Sequence, residues 1–421
     1  MGLSKIILFT FVSQSNIMKR LIVYLIFVLF ITSCGDYETR LVREADRIHR
    51  KILTVDTHCD TPMNFERGDF DLGVRHEEGC VDFPRMNEGG LHSAFFAVFT
   101  GQGPRNDSAY NAVNEKALEI FDAIHKNIEK NSSMAEIAYT AGDAYRIKKS
   151  GKIAAFIGVE NGYPIGKDLS RLALYYNLGA RYMTLSHSRN NDICDSSTDP
   201  SGPEHHGLSE FGKKVVSAMN RMGMMVDVSH ISDESFYDVL KTSMAPVIAS
   251  HSSCRALCEN KRNVNDDMLL ALKENGGVIQ ICILSNYLKS PEPNPELNEK
   301  VQEVQAKYGN ITDLSPEQRD QLMSEIREVQ RKYVKLATVK DAVDHIDHVV
   351  QVIGIDHVGI GTDFDGGGGI EGCRDVSEMK NITIELLRRG YSRKDIEKIW
   401  SGNIMRVLTK VEEMATYSLR N

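Results

Sequence analysis

Several short apolar runs in this chain end on a histidine or an acid. Ile52–Asp56 leads to His58 and Asp60, and Ile153–Val159 to Glu160. Ala180–Ser186 leads to His187, Met224–Ser229 to His230, and Pro246–Ser250 to His251. Imidazole nitrogens and carboxylate oxygens are the ligands of hydrolytic metal sites. The strands of a β/α barrel bring such side chains to one rim, at their C-terminal ends. The pattern predicts metal-assisted hydrolysis.

Each residue carries a different part of that expectation. Side chains alternate along a strand, so His58 and Asp60 face one way and Cys59 the other. A His-x-Asp pair alone is common, and it gains meaning from the other strand ends. Glu160 lies between Gly158 and Gly162, which permit close approach of other groups. A carboxylate can place one oxygen on each of two cations, which makes Glu160 the candidate bridge. His230 and His251 end successive strands, and neutral imidazole is the common nitrogen ligand of zinc. Asp227 and the adjacent serines are placed to orient those rings.

His187 could bind metal or stabilise charge on a substrate. Five protein ligands already serve two metals, so His187 is assigned to substrate. Asp363, in Thr362-Asp363-Phe364-Asp365, follows the last run and fits an acid/base carboxylate. Asp365 has the same parity, so the choice between the two stays open. Gly366–Gly369 reads as a flexible loop, with an anion nest as the alternative. Arg262 is either a solvated surface cation or a clamp for a substrate carboxylate.

These residues need a scaffold. With Ala94–Phe99, Gly277–Ile283 and His357–Gly361 the strand-like runs number eight, and they alternate with helical patterns such as Asn111–Glu129, Leu208–Met222 and Asn265–Glu274. Alternation of this kind implies parallel βαβ units. Eight of them predict a (β/α)8 barrel rather than an open sheet. The runs are continuously apolar, as strands buried on both faces are. Ser285–Lys335 is charged and proline-marked, and it reads as a helical insertion on the rim after strand seven. Residues 35–421 are expected to form one barrel domain. Near the C-terminus, Ser392 with Asp395 three residues on predicts a helix start.

A formal charge of −8 argues against nucleic acid as a partner. Residues 1–34 read as a leader, with a basic Lys19-Arg20, an apolar stretch Leu21–Ile31, and Thr32-Ser33-Cys34. The ending resembles a bacterial lipobox in which Cys34 is lipidated. That predicts a lipid-anchored protein of the bacterial cell envelope, working outside the cytoplasm. Seven of the eight cysteines lie beyond Cys34. No Cys-x-x-Cys pair is present, which argues against a cysteine-ligated zinc knuckle.

The segments VDTHCD, GVEN, MTLSH, VDVSH, SHSSCRALCENKRNV, HVGIGTDFDG and GNIMRVL span Val55 to Leu408. In this order they resemble the membrane (renal-type) dipeptidase family of metallopeptidases. The resemblance implies two Zn2+ per chain, the first held by His58 and Asp60, the second by His230 and His251, with Glu160 bridging. It implies substrate contacts from His187, Arg262 and Asp363, dipeptides as substrates, and a possible homodimer. Some features depart from the family pattern. Cys59 stands where many relatives carry a small polar residue, and Ser188–Asn191 lacks the cysteine found there in mammalian enzymes. Another binuclear amidohydrolase is the first alternative, but its bridging lysine on strand four is here replaced by the acid on strand three. A non-catalytic binding lipoprotein is the second, and it would require a broken ligand set.

Overall fold

The computed structural model describes residues 37–68, 70–290, 293–309 and 314–418. The leader over 1–34, Cys34 included, lies outside the described residues. Nine parallel strands form one sheet: β1 (Val55–Cys59), β2 (Ser93–Phe99), β3 (Ala135–Ile137), β4 (Ile153–Glu160), β5 (Ala180–Thr184), β6 (Met225–Asp227), β7 (Ile248–Ser252), β8 (Val278–Ile281) and β9 (Val358–Ile360). Eight follow the order β1-β2-β4-β5-β6-β7-β8-β9, and the short β3 pairs on β4 from outside that path. The sequence reading missed β3, because three residues carry too little pattern to mark a strand.

The path curls into a nearly closed barrel. Phe364 bridges to Cys59, Asp363 N–H donates to His58 O at 3.0 Å, and Asp60 N–H donates to Phe364 O at 2.8 Å. Buried Asp56 reinforces the seam. Its oxygens accept from Thr362 N–H at 2.8 Å and Thr362 Oγ1 at 2.6 Å.

Alternation sorts the side chains into two layers. On β4, Ala155, Ile157 and Val159 face the helical layer, while Ala154 and Phe156 face the lumen. Gly158 and Glu160 continue the inward series toward the mouth. Outside, Phe121, Leu172, Val216, Phe236, Leu272 and Ile346 of the surrounding helices cover the strands. The lumen residues Val55, Phe95, Phe156, Tyr182, Met225 and Ile248 join Ile404, Leu408 and Val411 of the C-terminal helix Asn403–Ser418. Arg406 of that helix donates to Gly276 O and Asp356 O, just upstream of β8 and β9. The helix therefore covers the N-terminal end of the barrel and leaves the C-terminal mouth for the polar cluster.

After β8 the chain makes two antiparallel helices, Pro295–Tyr308 and Pro316–Tyr333, at the place of the expected insertion. Val304, Leu314, Leu322 and Ile326 give this hairpin a small core of its own. Among the described residues no helix is long and apolar enough to cross a membrane.

Candidate metal centre

His58 lies in β1, Glu160 ends β4, and His251 lies in β7. Asp60 follows β1 directly, while His187, His230 and Asp363 each sit three residues beyond β5, β6 and β9. All seven converge at the mouth. Their donor atoms form three overlapping groups: His58, Glu160 and His251; Glu160, His187 and His230; and His58, Asp60 and Asp363.

Glu160 stands at the centre. Its Oε2 is 3.5 Å from His58 Nε2, which is itself 3.4 Å from Asp60 Oδ2. Its Oε1 is 3.1 Å from His230 Nε2, 3.5 Å from His251 Nε2 and 3.6 Å from His187 Nε2. His230 Nε2 and His251 Nε2 are 2.8 Å apart. One carboxylate thus presents separate oxygens to two sets of ligand-type atoms.

The local backbone is bent to bring these groups together. The β1–β2 register shifts between Asp56 and Cys59, and the β7–β8 register between Ala249 and Ser252. A bulge re-aims the side chains beyond it. Val55 and Ile248 face the lumen, yet His58 and His251 still turn inward after the shifts, and Cys59 faces the helical layer. Asn161, His230, Asp363 and Asp365 all have positive φ, between 61° and 77°. Non-glycine residues rarely adopt that region, and its cost is characteristic of functional sites.

Hydrogen bonds orient the rings. Ser250 Oγ donates to Asp227 Oδ2 at 2.6 Å and lies 2.8 Å from His251 Nδ1. With its proton given to Asp227, that hydroxyl accepts from Nδ1–H, which leaves the Nε2 lone pair of His251 aimed at the cluster. His58 Nδ1 meets Tyr182 Oη at 2.8 Å. Tyr182 was not foreseen from sequence. The available signal was Gly158, since a glycine inside a strand marks close approach of another group. A Cβ on Gly158 would lie 2.1 Å from Tyr182 Cζ.

Burial sets the charges. It would raise the Glu160 carboxyl, but the His58, His230 and His187 rings outweigh it and hold the group well below the usual carboxylate range. Burial, with Glu160 beside it, lifts Asp60 to about 6. Burial and the neighbouring Asp60 push Asp363 well above its ordinary value. Burial, aided by nearby cationic groups, drives His230 and His251 well below theirs, so both rings are neutral. Neutral imidazoles around crowded carboxyls suit divalent cations, which replace the protons that the crowding otherwise demands. The fit has a further sign: His58 Nε2 and Asp60 Oδ1 are buried without a hydrogen-bond partner. Uncompensated buried polar atoms are costly, and a cation satisfies those that ligate it.

The remaining candidates separate clearly. Asp365 accepts from Thr61 Oγ1 at 2.7 Å and from Cys80 N–H at 2.8 Å, so both of its oxygens are engaged away from the cluster. Asp363 is the acid that faces it. Gly366 packs against Asp60 and Asp363, and Gly368 N–H donates to Asp363 O at 2.7 Å, so this segment is a packed turn. Arg262 is 5% exposed, which rules out the solvated surface cation. Its guanidinium donates to His251 O at 3.1 Å, lies 5.3 Å from the Tyr287 ring centre, and has an Nε without a partner. Among the described residues no carboxylate pairs with it. His187 has the most exposed side chain of the three rings around Glu160 Oε1, at 24%, and stands at the solvent side. The seven cysteines among the described residues are all free.

A parallel barrel with a carboxylate between two imidazole sets at its C-terminal mouth defines a metal-dependent hydrolase. Comparison with known proteins narrows the class. The model of the membrane dipeptidase family, peptidase family M19, matches residues 42–420. The chain is 36% identical over 342 residues to dipeptidase tcpJ of Claviceps purpurea (strain 20.1), covering 80% of this chain and 70% of that protein. It is 34% identical to dipeptidase verJ of Clonostachys rogersoniana, covering 86% of this chain and 84% of that one. The crystal structure of the probable dipeptidase PvdM from Pseudomonas aeruginosa superposes with a TM-score of 0.79 at 30% identity, covering 90% of this chain and all of that one. The chain belongs to the membrane dipeptidase family of metallopeptidases and is a hydrolase acting on peptide bonds.

Proposed function

We propose that the protein cleaves dipeptides with a pair of zinc ions, one held by His58 and Asp60, the other by His230 and His251, with Glu160 shared. The observation that carries this reading is the division of Glu160, with Oε2 toward His58 and Oε1 toward His230 and His251. Such a pair, when bound, supplies a water nucleophile at neutral pH and polarises the scissile carbonyl. The protein's own groups do the rest. Arg262, buried without a carboxylate partner, binds the free C-terminal carboxylate through charge-assisted hydrogen bonds. That contact places the scissile bond next to a free C-terminal residue, as in a dipeptide. His187, at the solvent side, donates to the oxygen that gains charge as the carbonyl is attacked. Asp363 takes a proton from the attacking water and delivers it to the leaving amine. The closed lumen beneath these residues keeps bulk water from screening them.

The test is reconstitution. Chelator-stripped protein receives none, one or two equivalents of zinc and is assayed on L-L and L-D dipeptides. Activity should peak at two equivalents, and both series should be cut. Full turnover without added metal would defeat the reading.

Placement of the protein belongs to the same proposal. The leader ending at Cys34 directs it to the bacterial cell envelope as a lipid-anchored enzyme, with homodimers as the assembled form. Cys34→Ala should move the protein from the membrane fraction to the soluble one, and sedimentation reads the dimer.

A further inference from the structure

Tyr182 has no part in the chemistry above, yet it touches the deepest candidate ligand. Its ring is fully buried in the lumen, 5.4 Å from the Phe95 ring centre, and lies in the space left by the missing side chain of Gly158. The hydroxyl meets His58 Nδ1 at 2.8 Å. The other face of the His58 environment is the His251 ring, 3.9 Å away between centres. His58 Nε2 points toward Asp60 and Glu160.

A neutral imidazole carries one proton on two nitrogens. A cation on Nε2 forces that proton onto Nδ1, where it needs an acceptor in an apolar lumen. We propose that Tyr182 is a positioning residue for the His58 metal site: its hydroxyl accepts from Nδ1–H when Nε2 holds a cation and donates to Nδ1 when Nε2 keeps the proton. A phenol can do both, so Nδ1 of His58 keeps a partner through metal uptake and release. Phenylalanine can do neither. The inference rests on the metal-pair reading above.

Tyr182→Phe keeps the ring that fills the Gly158 space, and it is read by zinc titration of the stripped full chain in a calorimeter. One of the two zinc affinities should fall by about 10- to 100-fold, the usual effect of removing an outer partner of a ligating histidine. The other should stay within about threefold of the parent's. The lost kcat should return with excess zinc while KM is unchanged. Two unchanged affinities would overturn the assignment. So would a joint fall of both affinities together with a lower melting temperature of the stripped protein, since that marks a packing role. If the parent chain itself takes up fewer than two zinc ions, the metal-pair reading fails first and this inference fails with it.

Discussion

Glu160 is the residue on which the site turns, because its two oxygens are committed to different neighbours. Glu160→Gln retains shape but removes the charge that would offset the proposed pair of cations. Zinc affinity should fall by more than the roughly 100-fold that loss of an outer partner costs. Metal analysis should find fewer than two zinc ions per chain, and dipeptide turnover should disappear. Near-normal turnover would remove Glu160 from the bridging role. Arg262 tests the substrate side. A charge-assisted hydrogen bond contributes about 1.5–3 kcal/mol, so Arg262→Ala should raise KM for free dipeptides by roughly 10- to 100-fold. Amidated dipeptides lack the carboxylate and should be affected far less. Equal effects on both would count against the clamp. At this scale much was legible beforehand, since the types and order of the strand-end residues are written in the chain. The engagement of Asp365 by Thr61 and Cys80 was not, because those partners arrive from other segments.

At the scale of elements, the decisive features are the ends of strands and the turns that follow them. The register shifts in β1 and β7 turn His58 and His251 inward where strict alternation from Val55 and Ile248 would point both of them outward. The turn after β9 has an equally narrow tolerance. A Cβ on Gly366 would lie 2.0 Å from Asp60 Oδ2 and 2.4 Å from Asp363 Oδ1. Gly366→Ala should therefore push both acids aside in a barrel that still folds. Zinc affinity should drop by at least about tenfold, with circular dichroism unchanged. Retained affinity would show that the two carboxyls have room to move. Other elements follow local rules that sequence displays. Ser392 and Asp395 form the reciprocal cap expected of that spacing. The insertion helices separate from the barrel because their apolar residues suffice only for each other.

For the molecule as a whole, stability depends on links between distant parts of the chain. His49, on the helix over 37–51, is one of them. Its Nδ1–H donates to Gly90 O at 3.1 Å, and its Nε2 accepts from Thr383 Oγ1 at 2.7 Å. Trp400 Nε1–H donates to the same hydroxyl at 2.7 Å. Burial lowers the His49 pKa to about 4. The unfolded chain binds a proton near pH 6.5 that the folded chain refuses until about pH 4, so stability is lost as pH falls through this window. The lowered pKa corresponds to about 3 kcal/mol. Urea unfolding in chelator, at about pH 7 and about pH 4.5, should show a smaller acid-induced loss in His49→Gln than in the parent. An identical loss in both would assign the acid sensitivity elsewhere.

The alternation of strand and helix, the chemical types at the strand ends and their order are all legible in the chain alone. Those are local properties, written in periodicity and in residues next to one another. Folding in three dimensions sets which oxygen of Glu160 faces which histidine, that Asp363 rather than Asp365 faces the cluster, and that Tyr182 meets His58. Each of these depends on contacts between segments dozens to hundreds of residues apart. Such contacts are fixed by closure of the barrel and by bulges that alter strand parity, and no local pattern in the chain records either.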